Sequence, residues 1–348
     1  MKEIKVADKV IGSHRKPFII AEMSGNHNQS IDRALAIVDA AAAAGADAIK
    51  LQTYTADTMT IKGAYTIADE KSLWNGKELH DLYSVAHTPW EWHKEIFDRA
   101  RKKGMVAFSS PFDATAVDFL ETLDVPLYKI ASFENTDHPL LKKVARTGKP
   151  VIMSTGVSSL ADIFESVEVL KQNGCRELVL LKCTSTYPST PQNTNLMTIP
   201  VMQEIFSDCL IGLSDHTMGV GASVASVALG ARVIEKHFTL RRADGGVDST
   251  FSLEPEELNS LVVESERAFQ ALGHANFNIL DVERDSKKFK RSIYVAEDIK
   301  EGERFTTSNL KVIRPGDGLE PRFYESLIGL PAKKSMKKGS PLHFNDIL

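Results

Sequence analysis

Two histidines stand at the ends of consecutive apolar runs and could together bind a metal ion. His216 ends the run LIGLSDHT, and His237 lies near the end of the next run, RVIEKHFT. Side chains alternate along a strand, so Glu235 shares a face with His237. A lone histidine at a strand end is usually a hydrogen-bonded structural residue, but two at matching heights, with Glu22 and Glu235 nearby, favour a metal site. Mixed nitrogen and oxygen ligands suit a divalent ion such as Mn2+ or Mg2+, and the geometry also admits Zn2+.

Lysines near the ends of apolar runs indicate a second kind of chemistry, the binding of an anionic substrate. They are Lys50, Lys129, Lys182 and Lys236. A charged lysine inside a folded core is costly unless it is paired, and Lys236 is the one we expect to point outwards, towards helix carboxylates. Two or more inward lysines would form a site for phosphate and carboxylate groups. The serines expected around them are Ser109, Ser132, Ser154 and Ser214. Phosphoenolpyruvate carries both groups, although composition alone does not select it over another phosphorylated acid.

The glycine-containing segment RRADGGVDSTFSLEP follows the last apolar run and has two interpretations. In one, Gly245, Gly246 and Asp248 form a turn before the next helix, whose first turn carries Glu254. In the other, Asp248 lies on a loop over the site and binds substrate hydroxyls. The residues alone leave both interpretations open.

Eight short apolar runs must position these side chains. They span residues 18–24, 47–54, 105–111, 127–132, 151–156, 178–185, 210–217 and 232–239. Helix-like segments such as 31–44 lie between most of them, and glycines typical of helix ends, such as Gly45 and Gly174, precede several runs. Eight βα units in ~250 residues predict a (β/α)8 (TIM) barrel of the α/β class, with its active site at the C-terminal ends of the strands. A doubly wound open sheet is the competing fold, disfavoured because no glycine-rich phosphate loop follows the first run.

The βα pattern occupies residues 1–275 and is interrupted by residues 55–88, which we interpret as an insertion, or lid, on the C-terminal side of the strands. Its Trp74 is expected to pack rather than to stack on a ligand. Residues 276–289 are polar and charged, which is typical of a linker. From 290 to 348, short strands and turns replace the βα pattern and predict a small β-rich domain.

Composition excludes several classes of protein. With 348 residues, 43% hydrophobic and 25% charged, the chain is typical of a globular protein rather than a disordered, collagen-like or coiled-coil one. Its net charge of −4 argues against a nucleic-acid partner. None of the three cysteines forms a CxxC pair, which predicts neither a disulfide framework nor a zinc–thiolate site. No apolar run has the length of a signal peptide or a membrane span, so we expect a cytoplasmic location and no membrane partner.

Motifs throughout the chain resemble those of the sialic acid synthase family. The similar stretches include IAEMSGNHNQS, AIKLQTYTADTMT, YKIASFENTDHPL, VIMSTGVSS, LKCTSTYPS, GLSDHTMG and VIEKHFTL. The C-terminal segment from RSIYVAEDIKEGE to KKGSPL resembles the antifreeze-like (SAF) module attached to these synthases. The resemblance implies a (β/α)8 enzyme that uses Mn2+ or Mg2+ to condense phosphoenolpyruvate with an amino-sugar aldehyde.

Carried over position by position, the resemblance implies roles for individual residues. His216 and His237 would bind the metal, and Glu235 or Glu22 would handle the proton of the attacking water. The implied phosphoenolpyruvate site consists of Lys50, Ser109, Lys129, Ser132, Ser154, Thr184, Ser214 and Arg314. The implied sugar site consists of Glu22, Gln52, Tyr187, Asp248 and Phe251. Arg314 would reach into the barrel of a second subunit, which implies a domain-swapped homodimer.

Within the family, RRADGGVDSTFSLEP and SFENTDHPL resemble the pseudaminic acid synthases. Their sugar, 2,4-diacetamido-2,4,6-trideoxy-L-altrose, lacks a 6-hydroxyl, and we expect Phe251 to make an apolar contact there. The nearest alternative is an N-acetylneuraminate or legionaminate synthase, which differs only in the sugar. A 3-deoxy-heptulosonate-type aldolase lacks the SAF module, and an inert binding protein would have no physical need for Lys50, His216, Glu235 and His237.

Overall fold

A closed barrel of eight parallel strands forms the centre of the fold in the computed structural model, which describes residues 2–68 and 75–348. A hairpin of two antiparallel strands, β1 (Glu3–Val6) and β2 (Lys9–Gly12), precedes it. The barrel strands are β3 (Phe18–Glu22), β4 (Ala48–Thr53), β5 (Val106–Pro111), β6 (Tyr128–Ile130), β7 (Val151–Ser154), β8 (Leu178–Cys183), β9 (Leu210–Asp215) and β10 (Val233–His237). Strand β10 pairs with both β9 and β3, which closes the barrel. The predicted (β/α)8 fold is confirmed and the open sheet is excluded.

Helices follow the strands, and most of them pack against the outside of the barrel. They are α1 (Ile31–Ala43), α2 (Ala56–Met59), α3 (Leu79–Ala86), α4 (His93–Lys102), α5 (Ala114–Thr122), α6 (His138–Ala145), α7 (Leu160–Gln172), α8 (Pro191–Thr194), α9 (Thr198–Ile205), α10 (Gly221–Ala228) and α11 (Pro255–Leu272). The Ser159 hydroxyl caps α7 by accepting the Asp162 N–H, and the predicted Gly174 follows that helix with φ 115°. In the part of the chain that the structure describes, no helix combines the length and the hydropathy needed to cross a membrane.

Alternation along the strands separates the barrel interior from the layer between strands and helices. The interior is filled by Phe18, Ile20, Ala48, Val106, Phe108, Leu127, Ile152, Val179, Leu181, Leu210 and Val233, with Ile4, Val6 and Ile11 of the hairpin in the same cluster. The residues between them, such as Ile19, Ile49 and Ile234, pack against the helices in a separate cluster. Because apolar side chains fill the interior along the first part of each strand, the polar side chains that come later meet at the C-terminal end.

The insertion of residues 55–88 contains α2 and α3, which contact each other. Tyr83 on α3 packs edge-on against Tyr54, which follows β4, with 5.6 Å between the ring centroids. The insertion therefore reaches the C-terminal end of the barrel strands. Trp74 lies outside the described residues.

The chain divides into two compact units, Met1–Gly273 and His274–Leu348. The second unit contains the antiparallel strands β11 (Ser292–Val295) and β12 (Leu310–Ile313) and the short helix α12 (Tyr324–Leu327). It has a hydrophobic core of its own, in which Phe305 is fully buried. Residues 276–289, which the composition suggests are a linker, are exposed and belong to this second unit.

Candidate active site

Polar and charged side chains line the barrel interior at the C-terminal ends of the strands. Strand pairing places Glu22 beside Lys50 and His237, and Ser214 beside Glu235. All of these side chains are buried. The shared face that alternation predicts for Glu235 and His237 is thus present, and it points into the barrel.

Two lysines and two glutamates form a buried network at this end of the barrel. Lys50 Nζ lies 2.6 Å from Glu22 Oε2 and 3.8 Å from Glu235 Oε1, and Lys129 Nζ lies 3.8 Å from the same Glu235 oxygen. Burial lowers the pKa of Lys129. Burial alone would raise the pKa of Glu235, but the ammonium groups of Lys129 and Lys50 outweigh it and hold that pKa below its usual range. The network therefore keeps a glutamate ionised between two orientated ammonium groups, an arrangement that can also hold phosphate or carboxylate oxygens.

Serine hydroxyls contact this network, as their positions at the strand ends predict. Lys129 Nζ donates a hydrogen bond to Ser154 Oγ at 2.7 Å. Ser214 Oγ donates to Glu235 Oε1 at 3.3 Å. The Ser154 hydroxyl keeps its hydrogen free to donate to an anionic ligand, whereas the Ser214 hydroxyl must turn away from Glu235 to do so.

Ser109 faces away from this site, contrary to the predicted set. Its hydroxyl lies 2.6 Å from Thr53 Oγ1, which in turn lies 2.8 Å from His93 Nε2 on α4, in the layer behind the strands. The neighbouring Ser110 points inwards instead and accepts a hydrogen bond from Lys50 Nζ at 3.3 Å. A shift of one residue moves a side chain to the other face of a strand, and Ser110 takes the place that we expected for Ser109.

Ser132 and Thr184 lie in the loops that follow β6 and β8. Ser132 Oγ accepts a hydrogen bond from the backbone N–H of Gly156 at 3.2 Å. Thr184 is half-buried, and its hydroxyl accepts from Lys182 Nζ at 2.5 Å and donates to the Asn193 carbonyl at 3.0 Å. An anionic ligand can only accept a hydrogen bond, so to use the Thr184 hydroxyl it must displace the bond to the Asn193 carbonyl.

The two predicted histidines meet, with 5.3 Å between their ring centroids. His216 Nδ1 lies 3.0 Å from the Thr184 carbonyl, so Nδ1 carries a proton and Nε2 is the nitrogen that could bind a metal once it is deprotonated. Burial alone would lower the pKa of His216, but its contacts with Cys183 and the Thr184 carbonyl raise it. Burial, together with the charge of His216, lowers the pKa of His237 well below its usual value. A neutral imidazole is the form that coordinates a metal, so His237 is in the protonation state that the prediction requires.

A divalent ion fits these residues. His237 Nδ1 and Glu235 Oε2 are buried and have no hydrogen-bond partner, so each offers a lone pair that the protein leaves unused. Asp248 Oδ2 lies 3.7 Å from His237 Nδ1. Within residues 2–68 and 75–348, no three His, Cys, Asp or Glu side chains already stand in a metal-binding cluster. The two histidines would thus supply nitrogen ligands, and substrate or water would complete the set.

Beside the histidines, hydrogen bonds between polar side chains connect the loops that follow β3 and β10. Ser24 Oγ donates a short hydrogen bond to Asp248 Oδ2. Gln52 Nε2 donates to Glu22 Oε1 at 2.9 Å and to Ser24 Oγ at 3.3 Å. Burial raises the pKa of Asp248. Asp248 therefore lies in the site, as the second interpretation of its loop requires, and Ser24, at the end of the first apolar run, is a neighbour outside the predicted sugar-site residues.

Aromatic rings form a wall next to the same histidines. The ring centroid of Tyr187 lies 4.4 Å from that of His216 and 5.6 Å from that of Phe251. Phe251 is 2% exposed and packs 4.9 Å from His237. The two predicted sugar-facing aromatic residues thus lie together at the metal side of the site.

Lys236 points outwards, as predicted, but it pairs with Asp215 on β9 and not with a helix carboxylate. Its Nζ lies 3.0 Å from Asp215 Oδ2, and the lysine is 1% exposed. Asp215 Oδ2 also accepts a hydrogen bond from Ser223 Oγ at 2.6 Å. The pair supports β9 and β10 from behind, on the face opposite His216 and His237.

Replacing Lys236 with Met is expected to lower the free energy of unfolding by about 3 kcal/mol, because Asp215 then loses its buried counter-ion. Burial alone would raise the pKa of Asp215, but Lys236 and the hydrogen bonds outweigh it and lower that pKa. The pair therefore stabilises the protein above the unfolded-state pKa of Asp, about 4, and this contribution is lost as the pH falls through the lower folded-state pKa. Urea unfolding of both proteins from pH 7 downwards should show the difference shrinking, whereas Lys5→Met, at an exposed position, should change little.

Arg314 lies in the second unit, directly after β12, and is exposed. Its predicted contact with a substrate in another subunit stays a prediction.

Comparison with known proteins identifies the family to which this chain belongs. The NeuB family model matches residues 37–277, and the SAF domain model matches residues 290–348. A pseudaminic acid synthase of Campylobacter jejuni is 43% identical over 95% of this chain and 97% of its own, and one of Helicobacter pylori is 39% identical over 95% and 98%. The crystal structure of an N-acetylneuraminic acid synthetase from Leptospira borgpetersenii superposes with a TM-score of 0.74 at 33% identity, covering 82% of this chain and 95% of the other. The chain therefore belongs to the NeuB family and carries a SAF domain at its C-terminal end.

Proposed function

We propose that this protein is a pseudaminic acid synthase, which condenses phosphoenolpyruvate with 2,4-diacetamido-2,4,6-trideoxy-L-altrose and releases phosphate. The observation that carries the proposal is the buried Lys50–Glu235–Lys129 network next to the His216–His237 pair. The network suits a ligand with two anionic groups, and the histidines suit a divalent ion that binds an aldehyde oxygen. The similarity to pseudaminic acid synthases over 95% of the chain supports the choice of reaction.

Mn2+ or Mg2+ would be held by His216 and His237, and when bound it supplies Lewis-acid activation of the sugar aldehyde. Lys129 with Ser154, and Lys50 with Ser110, would bind the phosphate and carboxylate of phosphoenolpyruvate.

The reaction forms one carbon–carbon bond and releases one phosphate. C3 of phosphoenolpyruvate attacks the aldehyde carbon, positive charge develops at C2, and water adds there before phosphate leaves. Glu235, which is held ionised between Lys129 and Lys50, takes the proton of that water in our proposal, with Glu22 as the second carboxylate within reach of Lys50. The carbon–oxygen bond to phosphate is the one that breaks, as in the family that the chain resembles.

We infer the identity of the sugar substrate from the segment that follows β10. This loop places Asp248 and Phe251 next to the histidines, where a sugar bound by its aldehyde must extend. Phe251 and Tyr187 offer an apolar wall, which suits a sugar with a methyl group in place of a 6-hydroxyl. Asp248 would accept hydrogen bonds from the sugar.

A panel of acetamido sugars tests the proposal. With phosphoenolpyruvate and Mn2+, we expect phosphate release with the 2,4-diacetamido-trideoxy sugar and none after EDTA is added. Phosphate release with N-acetylmannosamine, and not with this sugar, would support the proposed reaction but contradict the proposed sugar substrate. No release with any sugar would contradict the proposed reaction itself.

We also propose that the active protein is a domain-swapped homodimer in which Arg314 of one copy completes the phosphoenolpyruvate site of the other. The exposure of Arg314 in the second unit supports this, since an arginine without buried contacts is available to a second chain.

A further inference from the structure

The turn after β3 carries backbone strain inside the candidate active site. Ser24, which is 5% exposed, has a φ of 47°, and Asn28 and Gln29 follow with φ values of 49° and 55°. Asparagine tolerates this left-handed region, whereas for serine it is a costly conformation. Such strain persists only where the surrounding contacts hold it, and it is concentrated at ligand sites.

Contacts with the segment after β10 hold the turn in this conformation. Asn26 Nδ2 donates hydrogen bonds to the Phe238 carbonyl at 2.9 Å and to Ser252 Oγ at 2.8 Å. Asn28 Nδ2 donates to the Gly245 carbonyl at 3.1 Å. The turn and the segment after β10 are therefore fixed against each other.

The glycine of this turn is not at the strained position. Gly25 lies outside the left-handed region, and a Cβ atom built on it would stand 2.9 Å from Val247 Cγ2, so it permits a close approach of the two segments. A glycine in place of Ser24 would adopt the left-handed conformation without strain. The serine at this position is thus explained by its side chain rather than by its backbone.

The Ser24 hydroxyl connects two of the residues predicted to face the sugar. Its Oγ donates a hydrogen bond to Asp248 Oδ2 and accepts one from Gln52 Nε2 at 3.3 Å. The backbone conformation sets the direction in which a side chain leaves the main chain. The strained turn therefore brings this hydroxyl between the end of β4, which carries Gln52, and the segment after β10, which carries Asp248.

The Asp248 backbone is fixed without Ser24. Ser252 Oγ donates to the Asp248 carbonyl at 2.7 Å, which anchors the main chain. His237 Nδ1 lies 3.7 Å from Asp248 Oδ2, too far for a hydrogen bond. The direction of the Asp248 carboxylate thus depends on the Ser24 hydroxyl.

We propose that Ser24 is a positioning residue for the acceptor sugar, because its hydroxyl holds the Asp248 carboxylate and the Gln52 amide in the orientations that bind it. The inference rests on the proposed function, since it assumes a sugar bound by these two side chains. The two lysines of the proposed phosphoenolpyruvate site donate to other serines, so the effect of Ser24 should be confined to the sugar.

Two substitutions separate the hydroxyl of Ser24 from its backbone strain. Ser24→Ala and Ser24→Gly both remove the hydroxyl, but only the glycine also relieves the left-handed backbone. In both variants we expect the KM for the sugar to rise about tenfold, the KM for phosphoenolpyruvate to stay within twofold and kcat to change little. The glycine variant should melt a few degrees above the alanine variant. A sugar KM that follows the hydroxyl, and not the melting temperature, distinguishes a positioning role from a structural one.

Ala7→Gly is the matched control for the relief of strain. Ala7 is exposed in the turn between β1 and β2 and has a φ of 54°, close to that of Ser24. This variant should keep the melting temperature of the wild type or exceed it, and its two KM values and kcat should equal those of the wild type.

Other kinetic results overturn the proposal. An unchanged sugar KM in both variants would remove Ser24 from the sugar site, and a rise confined to the less stable alanine variant would make its role structural alone. If the alanine variant does not fold, the glycine variant decides by the same constants.

A crystal structure of ligand-free Ser24→Gly provides a readout that needs no sugar. The Asp248 carboxylate should leave its wild-type orientation, and an unchanged carboxylate would contradict the positioning role. The kinetic constants are measured with whichever panel sugar the wild type uses, so a wrong choice of sugar is distinguished from a wrong role for Ser24.

Discussion

Replacing His237 with Ala is expected to abolish phosphate release, by at least about a thousandfold, while leaving the barrel folded. His237 is neutral, its Nδ1 has no protein partner, and it lies beside His216 at the end of the barrel. Removing the ring therefore deletes a metal ligand without breaking a hydrogen bond of the fold. His216→Ala should have the same effect on turnover.

Metal binding provides a readout that does not depend on turnover. Titration of Mn2+ into the wild type and the two variants, followed by calorimetry, should show weak or no binding in either variant. The melting temperature should stay within a few degrees of the wild type, and His14→Ala, at an exposed position, serves as the matched control. Full activity of either variant in metal-buffered solution would falsify the two-histidine site.

Replacing Lys50 with Met is expected to damage both catalysis and stability. Lys50 is 3% exposed, lies 2.6 Å from Glu22 and 3.8 Å from Glu235, and donates to Ser110. Its loss removes a cation from the proposed phosphoenolpyruvate site, for which we expect turnover to fall about a thousandfold. It also leaves Glu22 buried without its counter-ion, which should cost about 3 kcal/mol of unfolding free energy.

A second substitution separates the two effects of Lys50. In the double variant Lys50→Met, Glu22→Gln, the unpaired buried charge is gone, so stability should largely return while turnover stays lost. Urea unfolding and phosphate release, measured on the wild type, both single variants and the double variant, complete the cycle. Lys102→Met, on the exposed face of α4, controls for the loss of a lysine. If Lys50→Met keeps its activity, the lysine network is not the substrate site.

Most of the fold could be predicted from the periodicity of the strands in the sequence. Each of the eight runs contains a strand, and the predicted polar ends of β3, β9 and β10 supply Glu22, Ser214 and Glu235. Apolar runs and terminal polar residues are local properties of the chain, so they can be read without knowing which strands are neighbours. The outward direction of Lys236 also follows from alternation within one strand, although its partner is Asp215 on β9 and not the helix carboxylate that we expected.

The error at Ser109 has a physical cause. Alternation shows that Ser109 and Ser110 face opposite sides, but it does not show which side is the interior, because β5 is buried on both faces. The choice depends on Thr53 and His93, which receive Ser109 in the layer behind the strands. Those residues are far from Ser109 in the sequence, so only the packed structure reveals the contact.

The directions of side chains in the loops after the strands could not be predicted from the sequence. Glu134 and Ser24 lie in short 3-10 turns, where no period of two or 3.6 residues assigns a side chain to one face. Their positions depend on contacts across the barrel, such as Ser24 with Asp248 and Asn135 with Ser154. The sequence by itself determined the barrel, the strand ends that carry the chemistry and the histidine pair, because these follow from local periodicity. Only the tertiary structure decided which hydroxyls and loop carboxylates face the site, because that depends on residues brought together from distant parts of the chain.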